Sequence, residues 1–98
     1  MAETIDEITI NYEEDGQQVV KELDKEILTR GAWTTILFRF QQLDRKTGDW
    51  GKTQFSIRRY RKVQGEYRSQ SKFTISSPDQ ARKIIDTLND WLGREEQA

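Results

Sequence analysis

The chain has no cysteine, no histidine and a single proline in 98 residues. Without cysteine there is no disulfide framework, no thiolate metal site and no thiol nucleophile. Without histidine the commonest general base and the commonest metal ligand are missing too. Apolar residues make up 34% of the chain and charged residues another 34%. One packed layer over a sheet is feasible; a second apolar layer calls for a partner, most simply another copy. No stretch approaches the roughly 18 apolar residues of a membrane span, and no basic start leads into an apolar run, so a cytoplasmic protein is expected. The six glycines are scattered and make no phosphate-binding loop. Asp44, Asp49 and Glu66 fall in predicted turns, where solubilising acids are commoner than metal ligands. No base stands beside a Lys, Ser or Tyr nucleophile, so no enzyme, cofactor or metal is expected.

What is present is charge, unevenly spread. Residues 1–26 carry nine acids and two bases, residues 27–74 eleven bases and three acids, and residues 75–98 a small acidic excess. The net charge of −1 thus hides a basic middle between acidic ends, and association is steered by the local field rather than the total.

Residues 1–16 read as either a short edge strand or a loose acidic arm, with Ile8, Ile10 and Tyr12 alternating and Asp15-Gly16 suited to a hairpin turn. Residues 17–30 fit a strand through Val19, Leu23 and Ile27, or a helix through Val20, Leu23, Ile27 and Leu28 with Gly31 beyond its end; the strand is favoured. Trp33–Leu43, Trp50–Val63 and Glu66–Ile75 are rich in β-branched and aromatic residues, and turn residues separate them. Ser77-Pro78-Asp79-Gln80 then opens a helix. Ser77 can cap it, Pro78 suits the first helical position and Gln80 completes a capping box. Ala81, Ile84, Ile85, Leu88, Trp91 and Leu92 form its apolar stripe, which is expected to pack on the sheet. Gly93 is expected to end the helix, leaving a frayed tail at 94–98.

Alternation sorts the three clear strands into two faces. One carries Ile36, Phe38, Phe40, Phe55, Ile57, Phe73 and Ile75 and reads as the core side under the helix. The other carries Trp33, Arg39, Trp50, Lys52, Arg58, Tyr60, Lys62, Arg68 and Lys72, six bases and three rings without an acid. Cations that follow phosphates and rings that stack on unpaired bases are how single strands are held. A lysine- and arginine-rich strand face is also an ordinary soluble surface, with Trp33 and Trp50 packing near strand ends. Arg59 and Arg61 fall on the nominal core side. A bulge would turn them outward and Arg58, Tyr60 and Lys62 inward, leaving the face basic either way.

The layout resembles the single-stranded-DNA-binding family of the transcriptional coactivator positive cofactor 4 and its small bacterial relatives. The resemblance spans about residues 19–92. It rests on three long basic, aromatic strands, the junction Ile75-Ser76-Ser77-Pro78-Asp79-Gln80 and one amphipathic helix. It implies a homodimer formed through the helix and adjacent sheet. It also implies sequence-tolerant single-strand binding, with Arg39, Lys52, Arg58, Tyr60, Lys62, Arg68 and Lys72 in the groove.

The expectation is an α+β domain, dimeric and bounded by residues 17–93: an antiparallel sheet of about four strands followed by a C-terminal amphipathic helix. Its partner is single-stranded DNA in the cytoplasm or nucleoid, in transcription, replication or repair. RNA is the near alternative, and a protein-interaction module that binds an acidic partner through the same face is the alternative of another class.

Overall fold

Asp15-Gly16 and Gln64-Gly65 adopt positive φ at both positions, 53° and 78° in the first pair and 54° and 83° in the second. That geometry joins antiparallel strands through two residues. Both turns close hairpins in the computed structural model of the chain, which describes residues 2–97. The strands are β1 (Tyr12–Glu14), β2 (Gln17–Thr29), β3 (Trp33–Gln42), β4 (Gln54–Val63) and β5 (Glu66–Ile75), and helix α1 (Pro78–Gln97) follows. Each strand pairs antiparallel with its chain neighbours, in the order β1-β2-β3-β4-β5. The fold is α+β, a curled five-stranded meander with one C-terminal helix.

Residues 17–30 resolve as strand. Their mixed periodicity has a physical cause: the β2–β3 ladder shifts register twice and skips Leu23 and Leu28. Each bulge inserts one residue, so the apolar positions fit no clean period of two. The expected strand from Trp50 begins later, at Gln54, and Trp50 makes only an isolated bridge to Leu43. The β5 edge is blunted by a further bulge, where Gln70 is skipped, and by the charges of Arg68 and Lys72.

The acidic start does two jobs. Tyr12–Glu14 is the edge strand, and residues 2–11 run as a strap across one face of the sheet. Ile8 and Ile10 of the strap are buried with Ile36, Phe38, Phe40 and Tyr60, and Ala2, Ile5, Val20, Ile27 and Tyr67 pack around them. The second layer of the core is therefore the strap and not, as expected, the helix.

Ser77 caps the helix as the sequence reads, while the Gln80 side chain reaches one residue further back than a capping box requires. The Gln80 N–H donates to Ser77 Oγ at 3.1 Å, and Gln80 Oε1 accepts from the Ser76 N–H at 2.7 Å. The helix does not end at Gly93 but runs to Gln97, with an Arg94–Asp90 salt bridge of 3.0 Å one turn apart. Met1 and Ala98 lie outside the described residues. Along the stripe Ile85, Leu88, Trp91 and Leu92 are between 48% and 58% exposed. The helix leaves the sheet beside β5 instead of lying over it. The Cα radius of gyration, 16.0 Å, accordingly exceeds the about 13 Å of a compact 100-residue domain. No helix among the described residues is long and apolar enough to cross a membrane.

Candidate nucleic-acid interface

The register of β3 on β4 decides which side chains share a face. Ile36 pairs with Arg58, Phe38 with Ser56, Thr34 with Tyr60, Leu37 with Ile57 and Arg39 with Phe55. Directly opposite residues point the same way. The face under the strap therefore carries Ile36, Phe38 and Phe40 together with Ser56, Arg58 and Tyr60. The other, open face carries Trp33, Leu37 and Arg39 with Phe55, Ile57, Arg59 and Arg61. This overturns the expectation of one apolar face and one basic face: β4 is offset by one residue from the pairing that would have produced them. β5 continues the division, with Lys72 opposite Arg58, Phe73 opposite Ile57 and Arg68 opposite Arg61.

The nine residues expected to act together are thus split. Trp33, Arg39 and Arg68 stand on the open face. Trp50 shares that face through its bridge to Leu43 but lies at the far end of the sheet, with the Lys21 ammonium 4.5 Å from its ring centroid. Arg58, Tyr60, Lys62 and Lys72 belong to the strap face, and Lys52 is exposed in the connection before β4. Tyr60 is only 7% exposed, beneath the strap. Burial raises its phenol pKa above the usual value, and the neighbouring Arg58 opposes that shift. In this arrangement Tyr60 is a core ring and not an accessible platform. Arg39 has an acid for a neighbour, since Asp24 of β2 lies opposite it.

The open face brings together a group that alternation had put inside. Arg59 and Arg61 flank the Trp33 ring, their guanidinium carbons 4.5 and 5.4 Å from its centroid. Arg68 lies across from Arg61, and all four side chains are exposed. The salt bridges among the described residues are Arg45–Glu14 and Arg94–Asp90, and neither involves this cluster. A guanidinium over an indole presents flat stacking surface and positive charge at one point, and both groups stack on bases. The sequence allowed this placement as its alternative, with Arg59 and Arg61 outward and Arg58, Tyr60 and Lys62 inward; the cause is the β3–β4 register and not the bulge that alternative invoked.

The connection that holds Trp50, at the opposite end of the sheet, is different. Gln41 Nε2 donates to the Gly51 carbonyl at 3.0 Å, the Gly51 N–H donates to the Gln42 carbonyl at 2.9 Å, and Arg45 is paired with Glu14. Its charges are partly neutralised and its ring is half-buried. Among the described residues no three His, Cys, Asp or Glu side chains group to hold a metal.

Between the basic end and the Trp50 end the open face carries Leu37, Phe55, Ile57 and Phe73, the last 53% exposed, with the Arg39 and Asp24 pair at its Trp50 side. The molecule is thus an α+β sheet protein with a partly exposed apolar belt and a cationic, aromatic end. Comparison with family models, curated proteins and solved structures gives no match.

Proposed function

We propose that the protein binds single-stranded nucleic acid, DNA in the first place, through the open face around Trp33. The observation that carries this reading is the Trp33 ring with both Arg59 and Arg61 against it, Arg68 beside them and, among the described residues, no acid paired to any of the three. The rings and guanidinium planes stack on bases of any sequence, and the charges hold the phosphates. Duplex DNA offers the phosphates but keeps its bases inside. The reading needs no cofactor and assigns no catalysis. A cytoplasmic, nucleoid-associated role in transcription, replication or repair is in keeping with it.

The same proposal includes a homodimer. Phe73, beside the half-buried Leu37 and Ile57, and the exposed stripe of Ile85, Leu88, Trp91 and Leu92 are apolar surfaces that one copy leaves in water. A second copy is the simplest cover for both. Sedimentation equilibrium at micromolar concentration is expected to give twice the chain mass of 11.6 kDa; a monomer removes the dimer.

Fluorescence anisotropy with an oligonucleotide and its duplex tests the binding. Affinity for the single strand is expected to be well above that for the duplex. Equal affinities, or none, refute the reading, and tighter binding of RNA of the same sequence moves the ligand from DNA to RNA.

A further inference from the structure

The strap face contains the same ingredients as the proposed interface, and the chain covers the rings itself. Under residues 2–11 lie the rings of Phe38, Phe40, Tyr60 and Tyr67. Arg58, Lys62 and Lys72 are on that face by register, Arg58 half-buried and both lysines exposed. The strap carries Glu3, Asp6 and Glu7, and no salt bridge among the described residues joins them to these bases.

The way the strap is held differs from the way a strand is held. Among the described residues, one backbone–backbone bond joins it to the sheet, the Tyr67 N–H donating to the Ala2 carbonyl at 2.9 Å. The remaining polar hold is a clasp of side chains on and beside β2. The Glu22 carboxylate accepts from the Ile10 N–H at 3.2 Å and from the Thr9 hydroxyl at 2.8 Å. Asn11 Oδ1 accepts from the Glu22 N–H at 2.7 Å. The Lys25 ammonium donates to the Asp6 and Ile8 carbonyls at 2.9 and 2.7 Å. A cleft of about 410 Å³ already separates Ala2, Glu7, Ile8 and Thr9 from Tyr60 and Tyr67.

We infer that residues 2–11 mask the rings of a second single-strand surface, Tyr60 and Tyr67, beside the bases Arg58, Lys62 and Lys72, and peel from it to admit nucleic acid. The strap occupies the place of the bases of the ligand, with Ile8 and Ile10 lying where stacked rings would lie. Release breaks the clasp and uncovers the core layer of Ile8 and Ile10, whose burial the ligand's stacked bases have to replace, and it leaves every sheet hydrogen bond between β1 and β5 intact. The inference rests on the proposed function.

The chain has no cysteine, so a Thr9→Cys/Glu22→Cys variant can be tied by a short bifunctional thiol reagent. Untied, it lacks the Glu22 clasp; tied, the strap is fixed. The untied form is expected to bind a single-stranded oligonucleotide severalfold more tightly than the tied form. Its salt slope should change little, since Lys62 and Lys72 are exposed with the strap in place and the groups gained are rings. Equal affinity in the two forms overturns the strap but leaves the Trp33 interface standing; loss of binding in both overturns the two together. Hydrogen exchange on the wild-type protein gives an answer independent of the substitutions. A saturating oligonucleotide is expected to speed exchange of the Ile10 N–H, and unchanged or slower exchange contradicts the inference.

Discussion

The two faces of this sheet hold similar apolar residues and are completed in opposite ways. Ile36, Phe38 and Phe40 are sealed by the chain's own strap, to 2% exposure or less. Leu37, Ile57 and Phe73 gain no such second layer among the described residues: Leu37 and Ile57 are half-buried and Phe73 is 53% exposed, and the helix that could have covered them stands beside β5. A strand face is therefore not core or surface by its own composition. It is core where another segment of the same chain reaches it. Here an acidic segment with three well-placed isoleucines does so, and an amphipathic helix does not.

The strongest test of that contrast is stability. Ile8→Ala is expected to cost about 2–5 kcal/mol in denaturant unfolding, because it opens a cavity between strap and sheet. Phe73→Ala on the open face removes a ring that is 53% exposed. Its cost to the folded monomer should be near 0.5 kcal/mol, roughly a surface value. Equal losses would mean that both faces are cores.

Next in size is the effect on binding. Trp33→Ala is expected to cost about 1–3 kcal/mol of single-strand affinity, the value of one stacking platform, with little change in salt slope. Trp50→Ala, at the neutralised end under Lys21, should cost clearly less. Reversal of that order would move the interface to the other end of the sheet.

The smallest effect is in alkaline solution. Burial holds the Tyr60 phenol above its usual pKa, so the native state keeps that proton where the unfolded chain loses it. The corresponding stability is fully present below the ordinary tyrosine range and is lost as pH rises through the folded-state value. Tyr60→Phe, unfolded by denaturant at a series of pH values, should show a shallower alkaline decline than wild type. An unchanged decline would mean that Tyr60 is solvated and the strap face open.

Much of this architecture is legible before folding. The strands β3 and β5, the turns Asp15-Gly16 and Gln64-Gly65, and the cap at Ser77 follow from residues whose local preferences agree with the fold. The faces are not legible, for a definite reason. Gln64-Gly65 pins β5 to β4, but β3 and β4 are joined by the long connection 43–53, which fixes no register. A slip of one residue exchanges every side chain between faces, and that slip puts Arg59 and Arg61 beside Trp33 and puts Tyr60 in the core. The bulges at Leu23, Leu28 and Gln70 erase alternation locally in the same way. The strap was visible only as Ile8 and Ile10 alternating within an acidic stretch, with no sign of which face they would cover.

The central claim is that single strands bind at the Trp33 end of the open face. A charge-matched pair of variants tests it most directly: Arg59→Ala/Arg61→Ala at that end, and Lys46→Ala/Lys52→Ala in the connection at the other. Each removes two positive charges. Titrated with one single-stranded oligonucleotide over a range of salt, the first is expected to lose affinity and flatten the salt slope by about 1.4, two contacts at roughly 0.7 each. The second should stay close to wild type. Equal losses and equal slopes in the two variants would contradict the account, since binding would then follow total charge and not the site around Trp33.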